Sequence, residues 1–250
     1  MSKILLDTDI RKALRRKQGG FLINPYRMIP PPPPAYPTVL WSASATADVA
    51  AGGSSTPFPA VVAAGALIIA VVGTSSGWPP AVGGAGWTLL HSATGTSVAV
   101  NVYYKVASGT EGGTNLVFSL SGYSGYVSLQ AFLVKENTYA VGGIEYSTLY
   151  SGEVLWTVPN APACSPTWGL AATLWIRITL ICRLPTLYIT GYPDSDNNIS
   201  SYFGTSSGGS ICMIGGCTGN ASLATKPAAS WALDTGAYRW QADTIAIRPA

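Results

Sequence analysis

Leu174-Trp175-Ile176-Arg177-Ile178-Thr179-Leu180-Ile181-Cys182-Arg183-Leu184 decides the fold of this chain. Leu174, Ile176, Ile178, Leu180, Cys182 and Leu184 alternate with Trp175, Arg177, Thr179 and Arg183. A period of two sends successive side chains to opposite faces of a strand, so one face of this segment is expected to be buried in a sheet. Upstream, Val98, Val100, Val102, Tyr104 and Val106 alternate with Ala99, Asn101, Tyr103 and Lys105 in the same way. Further strands are expected at Leu67–Val72, Trp87–Ser92, Asn115–Leu120, Val127–Val134, Val154–Val158, Thr186–Thr190 and Thr244–Arg248, separated by Gly, Ser, Pro and Asn clusters with turn chemistry. No helical pattern of useful length follows Gln18, which argues against a parallel β-α-β fold. The expectation for residues 39–250 is an all-β fold, an antiparallel β-sandwich with jelly-roll-like winding. Gly/Ser turns such as Gly204 to Gly209 have no fixed period, so no repeat architecture is read.

The composition agrees with a packed β domain. The chain has 250 residues, 48% apolar and only 10% charged, with 28 Gly and 18 Pro. Disorder needs the opposite, low hydrophobicity and high net charge. So few charges leave a surface of Ser, Thr, Gly, Asn and Tyr, which suits packed assemblies and sugar-contacting faces. The longest apolar stretch, Ala60 to Val72, is interrupted by Gly65 and falls short of the roughly 20 residues that span a bilayer, so no membrane insertion is expected.

Charge is distributed unevenly. Lys3, Arg11, Lys12, Arg15, Arg16, Lys17 and Arg27 oppose only Asp7 and Asp9, a net of +5, whereas the rest of the chain carries seven cations and nine acids, a net of −2. Asp7 to Asp9 can cap, and Gly19-Gly20 can end, a short helix over Ile10–Gln18, with Ile10, Ala13 and Leu14 on one side and the cations toward its C-terminal end. A helix of about ten residues is marginal alone and is expected to order on a partner. Phe21 to Ile29 reads as an extended peptide that lays Phe21, Ile23 and Tyr26 into a groove. Pro30 to Pro34 with Tyr36-Pro37 reads as a polyproline spacer of about 3.1 Å per residue. The organisation expected is an anchoring arm at 1–29, a proline linker at 30–38 and a display domain at 39–250. The partner-binding residues of the arm are Ile10, Leu14, Arg15, Arg16, Phe21, Ile23, Tyr26 and Arg27. Five cations on ten residues give only salt-sensitive, nonspecific contact with nucleic acid. No signal peptide is read, because Asp7 follows Ile4, Leu5 and Leu6 at once; the expected site of synthesis is a cytoplasm.

The search for chemistry returns no catalytic residue, cofactor or metal site. Gly73-Thr-Ser75-Ser-Gly77 and Gly204-Thr-Ser206-Ser-Gly208 match the nucleophile-elbow pattern. That elbow needs a helix after it and then an acid and a histidine. Trp78-Pro79-Pro80 follows the first copy, and no histidine follows the second. The single histidine, His91, reads as a half-buried, hydrogen-bonded residue ending a strand. Asp194-Ser-Asp196-Asn-Asn198 opens like a calcium loop, but Ile199 and Thr205 stand where Gly and Glu belong, so a turn is expected. Cys164, Cys182, Cys212 and Cys217 lack C-x-x-C spacing and histidine partners; they read as buried thiols, with a Cys212–Cys217 disulfide as the alternative. No pair of acids is singled out for glycoside hydrolysis. Trp87, Trp156, Trp168, Trp175, Trp231 and Trp240 are expected in the core. Tyr123, Tyr126, Tyr192 and Tyr202 lie among Gly/Ser turns and are the candidates for receptor or sugar contact.

Leu67-Ile-Ile-Ala-Val-Val72, Gly86-Trp-Thr-Leu-Leu90, Val102-Tyr-Tyr-Lys-Val-Ala107 and Thr244-Ile-Ala-Ile-Arg-Pro249 carry a resemblance. The body resembles a β-sandwich module common in tailed-bacteriophage virion proteins, over most of residues 40–250. Gly19-Gly-Phe-Leu-Ile-Asn-Pro-Tyr-Arg27 is similar to short segments that fix phage fibres and decoration proteins to a particle. The stretch Gly191 to Ala229 departs from the module like an insertion. The resemblance implies a non-enzymatic virion protein, a tail fibre or receptor-binding protein, with other virion proteins as partners, a tail adaptor or the capsid. It implies a homo-oligomer, a trimer by preference, and a host surface glycan as the outer contact. The alternatives are a capsid decoration or head-fibre protein, and a free carbohydrate-binding module.

Overall fold

The chain divides into two units, Met1–Pro34 and Ala35–Ala250. The structure, a computed structural model, describes residues 35–48, 54–74, 85–94, 98–118, 126–150, 158–183, 188–194, 196–199, 211–234 and 239–250, all in the second unit. The helix expected at Ile10–Gln18, the rest of the arm and the proline run to Pro34 lie outside the described residues, as does most of the strand expected at Val154–Val158.

The described part is all-β, antiparallel, and arranged as a sandwich. The first half of the chain supplies one five-stranded sheet from β1 (Val39–Asp48), β3 (Leu67–Thr74), β4 (Thr88–Thr94), β5 (Ala99–Val106) and β7 (Tyr126–Val134), in the order β1-β7-β3-β5-β4. The second half supplies the other from β8 (Tyr139–Tyr150), β10 (Ala171–Arg183), β12 (Asp196–Ile199), β13 (Ile211–Leu223) and β16 (Arg239–Pro249), in the order β12-β13-β10-β16-β8. Jelly-roll winding would pass successive strands from sheet to sheet. Here the chain crosses once, through Lys135 to Thr138, so the winding differs from that expectation while the sandwich itself is as expected.

The topology repeats where the sequence does not. Counting only sheet strands, the first half pairs in the order first, fifth, second, fourth, third, and the second half, read from its β8 edge, pairs in the same order. In the first half the strand after β1, β2 (Ser54–Pro57), pairs with the strand before β7, β6 (Asn115–Phe118). In the second, β9 (Asn160–Ala161) after β8 pairs with β14 (Ala229–Ser230) before β16. An additional pair, β11 (Ile189–Gly191) with β15 (Ala232–Leu233), belongs to the second half alone. The sheets stack with β1 across from β12, β7 across from β13, and His91 of β4 against Tyr146 of β8. This is the arrangement of a two-fold axis lying along the strands between the sheets.

The stacking explains the burial. Leu67, Ile69 and Val71 meet Leu174, Ile176, Ile178 and Leu180 between the sheets. The opposite faces are covered too. Ile68, Ala70 and Val72 lie with Phe58, Leu116 and Phe118 of the β2 and β6 region, and Ile181, Met213 and Trp240 lie with Ile189 and Leu233 of β11 and β15. Hence all eight residues of β3 are buried, and Trp175 is fully buried on the second face of β10. Each fully buried Leu or Ile contributes about 1.5–3 kcal/mol. With both faces apolar, alternation alone cannot fix register. Small and polar residues do so instead: at Gly73 a Cβ would stand 2.6 Å from Leu180 Cδ1, and at Gly216 it would stand 2.3 Å from Gln130 Oε1.

The stretch Gly191 to Ala229 is therefore no insertion. It contains β13, which pairs along its whole length with β10, from Ala171↔Leu223 to Arg183↔Ile211. Gly215, Gly216 and Gly219 hide the strand from periodicity, because each leaves space that Ile189, Gln130 or Asp194 approaches. Among the described residues no helix is long and apolar enough to cross a membrane.

Candidate functional site

Three polar clusters interrupt this apolar body. The first lies on the outer face of β10, where Arg177 faces Cys217 of β13 and Thr244 of β16 across the ladder. Arg177 is 1% exposed. Its Nε lies 3.4 Å from Asp194 Oδ2, its Nη2 donates to the Pro227 carbonyl, and Lys226 Nζ lies 2.7 Å from Asp194 Oδ1. Two cations thus share one carboxylate. The cluster pins the bend at Asp194 and the segment around Lys226 onto the sheet, assisted by the paired Cys164 and Lys226 backbones. The Cys217 thiol beneath it is pushed up to about 12, first by burial, and Cys164 to about 11 for the same reason. Both are free, buried and un-ionised, which is inert thiol chemistry. Cys217 thus forms no disulfide with Cys212; Cys182 and Cys212 are partners in the backbone register.

The second cluster lies between the sheets near the β4 and β8 edges. His91 Nε2 stands 3.8 Å from Asp243 Oδ1, and its ring packs on Tyr146 at 4.6 Å. Burial holds His91 below its ordinary value and pushes Asp243 up to about 6, the latter opposed by hydrogen bonds from Thr148 and Gln241. His91 is in mid-strand rather than at a strand end, which corrects the sequence reading, and its Nε2 has no hydrogen-bond partner. The repeated topology places Gln130 of β7 at the position equivalent to Asp243 of β16. Both are buried with unpaired side-chain oxygens, one under each flank of the sandwich. His91 and Asp243 are thus closed in between the two sheets, as part of the core.

The third is a cleft of about 400 Å³ on the outer side of the first sheet, lined by Phe58, Trp87, Lys105, Glu111, Asn115 and Val117, among others. Trp87 is half-buried and tilted against Phe118 at 6.1 Å, so it borders the core where full burial was expected. Gly86 turns the chain at φ +89°. Lys105 Nζ lies 2.8 Å from Glu111 Oε1, which also accepts from Ser108 N and Oγ, while Oε2 accepts from Gly109 N. Burial raises the Glu111 pKa, but these donors outweigh it and hold the carboxyl at about 2, so it is a fixed anion.

The residues singled out from sequence separate into two groups. Ile10, Leu14, Arg15, Arg16, Phe21, Ile23, Tyr26 and Arg27, with Tyr123 and Tyr202, lie outside the described residues, as do Ser75–Gly77 and Gly204–Gly208 of the two elbow-like motifs. Tyr126 begins β7 with its side chain outside the description. Tyr192 is half-buried, its ring edge-on to Trp231 at 5.4 Å. Asp194 pairs with Arg177 and Lys226, and Asp196–Ile199 is strand β12 where a turn was expected. Trp175, Trp231 and Trp240 are core residues, whereas Trp168 is half-buried and donates to Thr173. The sequence reading missed Arg177, Lys105 and Glu111. A visible signal existed for Arg177: a cation flanked by Trp175 and Ile181 on the same strand face requires a buried acid.

No family model, curated protein or solved structure matches the chain.

Proposed function

We propose that this is a non-enzymatic virion structural protein of tail-fibre or receptor-binding type. The arm, residues 1–29, docks on another virion component, and the sandwich projects outward to contact a host surface. The observation that carries the reading is the junction at Pro34–Ala35, where a basic, helix-capable arm meets a proline run and then a sandwich of very low charge. The central strands of that sandwich are covered on both faces by its own segments, as a domain that holds its own core requires. Its buried polar clusters tie segments onto the sheets, and the Cys164 and Cys217 thiols are un-ionised, which suits display rather than catalysis. The protein assembles in the host cytoplasm and resides in the particle, in symmetric copies.

Removing residues 1–29 tests the reading. Loss of particle incorporation is expected, while the truncated chain keeps the β-sheet circular dichroism of the intact protein. A truncated chain loaded at full occupancy would refute the anchor. The half-open aromatic cleft favours one other reading, a free carbohydrate-binding module, in which incorporation is irrelevant and glycan binding needs no particle.

A further inference from the structure

We propose that the cleft beside β4 binds a neutral saccharide, with a pyranose ring against the Trp87 indole and two neighbouring hydroxyls on the Lys105–Glu111 pair. The proposal deepens the display reading and rests on it for the source of the sugar, a glycan of the host surface.

A cavity of about 400 Å³ is in the range of small-molecule sites, in which mainly apolar walls are combined with a few convergent polar groups. Phe58, Trp87 and Val117 supply the apolar wall, and Val117 is 46% exposed. Phe118 backs Trp87, so the indole is held in place before any ligand arrives. A pyranose has one face of C–H groups, which an indole accepts without hydrogen bonds. Its rim of hydroxyls demands donors and acceptors side by side.

Lys105 and Glu111 provide both. Glu111 is immobilised by the Ser108 and Gly109 donors, and its Oε2, which accepts from Gly109 N, has further acceptor capacity for a sugar hydroxyl. Lys105 has three N–H groups, one directed at Glu111, leaving others for an adjacent hydroxyl oxygen. Hydrogen bonds to charged partners are the stronger kind, and a prepositioned pair loses little freedom on binding. Because each charge cancels the other, the cleft selects hydroxyl-rich neutral rings over anions. Asn115, exposed at the rim, offers an amide to a substituent.

The test titrates the purified full chain with a panel of hexoses, N-acetylhexosamines and their short oligomers, read by saturation-transfer NMR. The expected result is binding by at least one neutral member, weakened about tenfold or more in Trp87→Ala. Lys105→Met, which keeps the stem and removes the donors, is expected to weaken it similarly, with circular dichroism unchanged in both variants. Equal binding by intact protein and both variants, or no binding by the intact protein, overturns the proposal. Particle incorporation separates this result from the display reading. If no saccharide binds yet deletion of the arm abolishes incorporation, the cleft proposal fails and the anchor stands. If saccharide binds through Trp87 while the arm-deleted chain loads fully, the cleft stands and the anchor fails.

Discussion

Asp194→Asn is expected to lower the unfolding free energy by about 3–5 kcal/mol, the usual cost of removing one partner from a buried ion cluster. Among the described residues Asp194 is the acid that both Arg177 and Lys226 pair with, so its loss leaves two neighbouring cations without that carboxylate. Lys226 can extend its flexible stem toward water. Arg177 is 1% exposed in the middle of β10 and has no such exit. Adding Arg177→Met to the asparagine variant should therefore restore most of the lost stability, since it removes the buried charge that the acid was neutralising. Guanidinium unfolding of the full chain followed by tryptophan fluorescence reads both effects. A loss below about 1 kcal/mol for the single variant, or no recovery in the double, would show that the cluster is not desolvated as described.

Asp243→Asn should act in the opposite direction and depend on pH. The folded state raises the Asp243 pKa from the ordinary 3.8 to about 6, so folding favours the protonated acid. Below pH 4 the group is protonated in both states and burial carries no charge penalty. Between pH 4 and 6 the penalty grows, and above 6 it is complete, at about 3 kcal/mol from the 1.36 kcal/mol per unit relation. The amide cannot ionise, so the variant should be more stable than the parent by up to that amount at pH 7.5 and equal to it near pH 4. His91 reinforces the trend. Its pKa is held below 6.5, so it is neutral at pH 7.5, but once protonated it would favour an ionised Asp243 only 3.8 Å away. The variant amide can also donate toward Gln241 Oε1 or His91 Nε2, both unpaired in the parent. Thermal melts of both proteins from pH 4 to 8 measure the difference, and a gain that does not shrink as pH falls contradicts the assignment.

The strands that announce themselves in the sequence are those whose neighbours leave their periodicity intact. Ala99–Val106 and Ala171–Arg183 alternate cleanly because Val100, Val102, Leu174 and Ile176 fill the inter-sheet core, and these strands anticipated the all-β class and the sandwich. Ile211–Leu223 was illegible for a physical reason. Its glycines exist to admit Gln130 and Ile189, and a strand that yields space to others has no periodicity of its own. The equivalence of the halves was equally hidden, because it resides in pairing order, which many sequences satisfy. The cleft was half legible. Trp87 is visible as an aromatic beside Gly86, but whether an indole is buried or rims a cavity depends on Phe118 and on the turn that Glu111 ties, both distant in sequence.

Because every strand of the first sheet precedes every strand of the second, the nascent chain presents a finished half-structure long before its complement exists. Translation of the 112 residues from Tyr139 onward takes roughly 6–20 s at ordinary ribosome speeds. Until β10 emerges, Leu67, Ile69, Val71 and Phe132 lack the facing strand that buries them in the finished fold. The surface best shaped to relieve them is another copy's emerging half, built to the same pairing order. Reciprocal exchange between chains synthesised side by side on one message is thus an intrinsic hazard of this design, and tethering both halves in one polypeptide is what makes the intramolecular outcome win.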